Sequence, residues 1–288
     1  MRVGIYIADK EREHTLARNL SAGVEACGDE AETLWRADFE APLPHIDVAC
    51  VVGVKNNSNW FIDEHLAAGK HTLYFDKGYV RWPARRHEGG WVYWRVAIDG
   101  HQPTKYFRQR SRGKERWKGL KLGIERIARG KGILYAGSSQ KFCDYYRLGD
   151  ATEYAKSIVA EIRKYTDKRI IYRPKPSWRH AVPIEGTDFS RSPQKIGAVL
   201  SVTDVMITYG SNAVFESILS GIPTICLGPA ISRSISSTSI ADVNDPYVAH
   251  GHEIKQWCYD LSYCQWKMEE YASGEAWADI KETLSGLS

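Results

Sequence analysis

The stretch Asp204-Val-Met-Ile-Thr-Tyr-Gly-Ser-Asn-Ala-Val-Phe-Glu-Ser-Ile-Leu-Ser-Gly-Ile-Pro-Thr-Ile-Cys-Leu-Gly-Pro229 decides the fold. An apolar strand over 205–207 runs into Tyr209-Gly210-Ser211-Asn212. A helix follows with Glu216 in its first turn or two, Gly221-Ile222-Pro223 stops it, and 224–227 reads as a second strand. A strand entering a Gly/Ser/Asn turn at a helix start presents unpaired backbone N–H groups and the positive end of the helix dipole to one point. That arrangement suits an anion, phosphate above all. Gly210, Ser211 and Asn212 are therefore candidate phosphate-binding residues, and Glu216 lies within reach of a sugar attached to that phosphate.

The same rhythm extends in both directions. Residues 132–137 read as a strand that exits into Ser138-Ser139-Gln140, 151–164 as an amphipathic helix, and 169–172 as a strand leaving through Arg173-Pro174-Lys175-Pro176. Residues 192–200 look helical. Toward the amino end, 3–7 is a strand ending at Ala8-Asp9, 13–27 a helix with Leu16, Leu20 and Val24 on one face, and 47–54 a strand. A turn at 56–59, a helix over 60–68 and a strand over 72–75 follow, the last ending at Asp76-Lys77-Gly78-Tyr79. Alternating strands and helices predict an α/β protein with parallel sheets. We expect two lobes, 1–130 and 131–288, with a helical tail over 254–284 whose last helix crosses back to the first lobe.

Bulk properties bound the function. The chain has 288 residues, 43% of them apolar, and a net charge of only +4, so a sizeable core forms and charge distribution matters more than its sum. No run of about 18 apolar residues exists, which predicts no membrane span. The first residues, Met1-Arg2-Val3-Gly4-Ile5, read as a strand and not as a signal peptide. Six scattered cysteines without a Cys-x-x-Cys pair suggest reduced thiols and a cytoplasmic setting. No Asp-x-Asp pair occurs, and no metal or resident cofactor is expected.

A basic, aromatic block interrupts the rhythm. Between Lys105 and Lys131 lie eleven Lys or Arg residues and two acids, Glu115 and Glu125. Arg81, Arg85, Arg86 and Trp94 precede it, and Arg108, Arg110, Arg112, Lys114, Arg116, Trp117 and Lys118 fall inside it. Cations for phosphates and flat rings for bases describe a nucleic-acid surface. A solvated charged linker and a surface for anionic glycan or membrane are the competing readings.

The second half resembles the GT-B glycosyltransferase fold, in which two Rossmann-like lobes face each other across a cleft. Tyr209 to Pro229 looks like its donor-binding strand–loop–helix, with Glu216 in the place of the ribose-contacting acid. Gly137-Ser138-Ser139-Gln140 with Asp144, and Tyr172-Arg173-Pro174-Lys175-Pro176, resemble the bacterial capsule transferases that move Kdo. Lys175 stands where that branch usually carries histidine. The first half, through 76–79 and Gln102-Pro103, looks more like phage proteins that glycosylate modified DNA bases.

The resemblance implies a nucleotide-sugar co-substrate, a UDP-sugar first among them, and metal-independent transfer. Ser138, Ser139, Gln140, Gly210, Ser211, Asn212 and Glu216 would bind the donor, while Arg173 and Lys175 neutralise the leaving group. Transfer needs a base for the acceptor hydroxyl. Asp76 and then Asp9, each at a strand end, are the candidates, with His14 behind them. The acceptor expected from the basic block is a hydroxymethylated pyrimidine in DNA. A surface glycan, and a non-catalytic nucleic-acid-binding role, are the alternatives.

Overall fold

The computed structural model describes residues 1–53, 58–80, 92–108, 111–127, 129–191 and 193–287, with Arg108 known by its backbone. The chain divides into two compact units: residues 1–116 with 259–288, and residues 117–258.

The first unit opens with β1 (Arg2–Ile7), α1 (Glu11–Ala26), β2 (Glu30–Trp35), β3 (Val48–Val52), α2 (Ser58–Ala67), β4 (His71–Lys77), β5 (Trp94–Ile98) and α3 (Thr104–Arg108). The chain leaves it inside α4 (Glu115–Leu120). β1 to β4 run parallel, and β5 pairs antiparallel to β4. All five residues of β3 are buried, as a strand covered on both faces requires. Leu16, Leu20 and Val24 form the buried face of α1, as their spacing predicts.

The second unit contains β6 (Gly132–Ala136), α5 (Gln140–Tyr145), α6 (Ala151–Arg163), β7 (Ile170–Arg173), β8 (Asp188–Phe189), α7 (Ile196–Leu200), β9 (Thr203–Thr208), α8 (Val214–Leu219) and β10 (Thr224–Cys226). Its sheet is wholly parallel, in the order β10-β9-β6-β7-β8. One face, with Ile133, Tyr135, Ile207 and Tyr172, packs on Ala155, Ile158, Val159 and Ile162 of α6. The other, with Leu134, Ala136, Met206 and Ile171, packs on Val199 and Leu200 of α7. Asp150 starts α6 by accepting from Thr152 N and Glu153 N at 2.8 and 3.0 Å.

α9 (Gly251–Ser262) carries the chain back into the first unit, where β11 (Gln265–Trp266), α10 (Met268–Ala272) and α11 (Glu275–Ser285) complete it. β11 adds to β5, giving the six-stranded order β11-β5-β4-β3-β1-β2. Asp29 ties α11 down: it accepts from Trp277 Nε1 at 2.8 Å and from the Met1 ammonium at 2.6 Å, and pairs with Lys281 at 2.7 Å. Gly23 of α1 lies so close to α10 that a Cβ there would overlap the Tyr271 carbonyl oxygen.

Candidate binding site at the carboxyl edge of the second sheet

Parallel strands deliver all their following loops to one edge of the sheet, where ligands of α/β proteins bind. In the second unit Arg173, Ala136 and Thr208 are register partners at the ends of β7, β6 and β9. Ile171, Ala136 and Met206 share one face. Side chains repeat every second residue, so Arg173 and Thr208 emerge on that same face. Only the methyl of Ala136 separates them, across about 10 Å of strand spacing.

Arg173 is buried, at 9% exposure, and donates to Ser190 Oγ and to the Gln194 carbonyl, both at 2.7 Å. Ser190 Oγ in turn donates to Gln194 Oε1 at 2.7 Å. Among the described residues these partners are all neutral. Burial pushes the Arg173 pKa down from the ordinary guanidinium value. A desolvated cation held by neutral acceptors retains a demand for an anion. Lys175, two residues beyond, is exposed at the same loop.

The turn after β9 differs from the amide cradle expected. The Thr208 hydroxyl accepts from Gly210 N at 3.3 Å and Ser211 N at 3.0 Å, and Ser211 Oγ accepts from Ala213 N at 3.2 Å. Those amides are used inside the turn, and α8 is six residues long, so dipole and amides supply less than the sequence reading assumed. Asn212 N, the hydroxyl hydrogen of Ser211 and the Asn212 side chain remain at the edge. Glu216 lies half-buried in the first turn of α8.

The second Ser/Gly loop is corrected further. Ser138 is half-buried after β6, and Ser139 occupies the N-cap of α5 without a side-chain cap hydrogen bond. Gln140 is committed elsewhere: its Nε2 donates to Asp144 Oδ1 at 2.8 Å and to Gly149 O at 3.0 Å, and its Oε1 accepts from Ala151 N at 2.9 Å. These bonds tie Gln140 to Asp144 within α5 and to the start of α6.

In the first unit Asp76 stands opposite Arg95 in the β4–β5 ladder, with Arg95 Nη2 at 3.4 Å from Oδ2 and Lys77 N donating to Oδ1 at 2.7 Å. Arg95 is almost wholly buried and also donates to Gln102 Oε1 at 3.2 Å, with His101 Nε2 at 3.0 Å. Burial alone would lower the Arg95 pKa; Tyr79, Asp76 and Tyr74 around it reverse the direction and raise it. Asp9 is 94% exposed, with His14 Nε2 at 3.3 Å. It does not cap α1, because Lys10 is the N-cap residue. The carboxylate buried near this strand end is Glu13, which the sequence reading missed. It accepts from Ala8 N at 2.8 Å. Its spacing to Leu16 and Leu20 on the buried face of α1 was the available signal.

Two cations of the basic block, Arg112 and Arg116, turn inward. Arg112 makes a bidentate pair with Asp279, with Nη2 at 2.8 Å from Oδ2. Arg116 pairs with Glu270 at 2.7 Å and lies over the Trp266 ring at 3.8 Å. Trp94 and Trp117 are buried, at 1% and 7% exposure. Arg112, Arg116 and Trp94 hold the returning carboxyl-terminal segment, while the Trp117 ring lies 6.4 Å from that of Phe215 in the second unit. Lys114 and Lys118 are exposed. Arg81, Arg85, Arg86, Arg110 and the Arg108 side chain lie outside the described residues.

Two solved structures from Thermosulfurimonas dismutans are similar over nearly the whole chain. The KpsC β-Kdo 2,7 transferase aligns with TM-score 0.57 at 11% identity, covering 96% of this chain and 99% of that one. The KpsC β-Kdo 2,4 transferase aligns with TM-score 0.55 at 12% identity, covering 92% and 91%. The chain has a GT-B-like fold. No family model matches it, and no curated protein matches its sequence significantly. Among the described residues, no group of three or more His, Cys, Asp or Glu is placed to hold a metal ion, and no helix is long and apolar enough to cross a membrane.

Proposed function

We propose that this chain is a glycosyltransferase that moves a sugar from a nucleotide-activated donor to a hydroxyl of a surface glycan, Kdo or a related acidic sugar being the class transferred. The observation that carries the reading is Arg173, a desolvated cation with neutral partners at the carboxyl edge of the second sheet. Likeness of fold to two Kdo transferases across both halves of the chain supports the choice of sugar. The inward pairing of Arg112 and Arg116 takes two cations out of the surface that suggested a DNA acceptor, although Lys105, Lys114, Lys118, Lys121, Arg126, Arg129 and Lys131 stay exposed.

In this reading the donor phosphate meets Arg173 and Lys175, which offset the charge that grows on the leaving group. The Ser211 hydroxyl, Asn212 and Ser138 hold its remaining oxygens, and Glu216 takes the ribose. A carboxylate must remove the acceptor proton or otherwise act at the sugar carbon. Asp76, oriented by Arg95 and the Lys77 amide, is that group in the first unit.

Thermal melting with CMP, CDP, UDP and GDP tests donor binding, since a ligand selective for the folded chain raises the midpoint. A raised midpoint in the wild type, abolished in folded Arg173→Met, is the expected result. Mass spectrometry after incubation with CMP-Kdo and with UDP-sugars, offering an oligosaccharide or hydroxymethylated DNA, then identifies donor and acceptor. No nucleotide-induced shift and no mass gain on either acceptor would overturn the reading.

A further inference from the structure

Beside the phosphate edge lies a ring cluster that the reading above leaves without a role. Tyr209 directly precedes Gly210-Ser211, and its ring sits 5.2 Å from Tyr146, 5.8 Å from Phe142 and 6.1 Å from Tyr154, centre to centre. Tyr145 extends the group, 4.9 Å from Tyr146. Phe142 and Tyr146 are four residues apart, so one face of α5 presents both to Tyr209. Phe142 is buried and supports the cluster, while the four tyrosines are half-buried.

The fold seats the Tyr209 ring directly on the Gly228 backbone. A Cβ on Gly228 would overlap the Tyr209 ring, and one on Gly210 would touch Phe142 Cζ at 3.5 Å. The Tyr209 carbonyl accepts from Gly228 N at 2.9 Å, which pins the loop beneath the half-buried ring. Four partly solvated phenol rings in edge and tilted contact, beginning one residue before the proposed phosphate loop, match the flat face of a heterocycle.

Resting on the proposed donor site, we infer that Tyr209 and Tyr146, with Tyr145 and Tyr154 beside them, form the stacking surface for the nucleobase of the donor. The phosphate edge would grip charge without regard to the base, and the tyrosine shelf would add affinity for any nucleotide over free phosphate.

Isothermal titration of the full chain with CMP, UMP, GMP, AMP and inorganic phosphate tests this, in the wild type and in Tyr209→Leu, Tyr146→Leu and Tyr209→Phe. Stacking on one ring corresponds to roughly tenfold in affinity. The expected result is about a tenfold loss of nucleotide affinity in each Leu variant, near-wild-type affinity in Tyr209→Phe, and unchanged phosphate affinity throughout. Saturation-transfer NMR on the wild type should mark the base protons of the bound nucleotide more strongly than the ribose protons, a readout independent of any variant's folding. Folded Leu variants that bind nucleotides as the wild type does overturn the shelf and leave the phosphate site standing. Equal loss of nucleotide and phosphate, or stronger saturation of ribose than base, also overturns it. A wild type that binds neither nucleotide nor phosphate overturns the donor site and the shelf together.

Discussion

At the scale of single residues, charge and burial make the sharpest predictions. Arg173→Met leaves Ser190 Oγ and the Gln194 carbonyl without their charged donor. Hydrogen bonds to ionised groups contribute about 1.5–3 kcal/mol, so urea unfolding should show a loss of about 2 kcal/mol beside the loss of nucleotide binding. Asp29 gives a pH signature. Burial alone would raise its carboxyl, but hydrogen bonds from Lys281, the terminal ammonium and Trp277 outweigh that and bring it down to about 2. The folded value lies below the unfolded value of about 3.9, so this group stabilises the fold above pH 4 and loses that effect as pH falls toward 2. The contribution is roughly 2 kcal/mol. Chemical denaturation at pH 6 and pH 2.5 should show it, and Asp29→Asn should flatten that part of the slope. The place of Arg173, Lys175 and Ser211 at or just beyond strand ends was legible in the sequence because the apolar pattern stops there. The partners of Gln140, Gly149 and Ala151, were not legible because the fold of α5 against α6 supplies them. The Thr208 turn was legible in principle: a threonine hydroxyl accepting amides two and three residues on is a local motif.

At the scale of elements, the buried strands announced themselves and the others did not. β2 mixes half-buried and exposed residues at the sheet edge and contains two glutamates, so no apolar run betrays it. β5 was hidden because Trp94 and Arg95 sit within a basic, aromatic tract whose composition suggested a surface. Trp94, Arg112 and Arg116 of the tract instead clamp the carboxyl-terminal segment. Arg116→Ala leaves Glu270 without its strongest partner and strips the cover from Trp266. Losing one partner of a largely buried pair costs about 3 kcal/mol, which denaturant titration would register. DNA affinity, measured by anisotropy across a salt series, should be the same in this variant as in the wild type. Gly23→Ala probes the α1–α10 contact. The added methyl has no room beside the Tyr271 carbonyl, and a fall of about 3 kcal/mol in stability is expected.

At the scale of the whole molecule, the α/β class and the presence of two sheets followed from strand–helix alternation. The division did not: helical patterns look alike whichever sheet they cover, so the sequence offered residue 130 as a boundary, whereas the chain changes unit within α4 and again within α9. Deleting residues 259–288 takes away β11 and the rings of Trp266, Tyr271 and Trp277, which are buried in the first unit. Limited proteolysis of that truncated chain should digest 1–116 quickly while a fragment near 117–258 persists. Equal resistance of both parts would show that the returning segment is dispensable.

The return of the last thirty residues also orders events in time. A ribosome delivers residues 117–258 before the strand and helices that close the first sheet exist. Residues 1–116 therefore wait through the translation of the second unit, with the β5 edge and the α1 groove at Gly23 uncovered until 265–274 have emerged. Nascent chains stalled near residue 258 should recruit chaperones through their amino-terminal part, and release of the final helices should end that dependence.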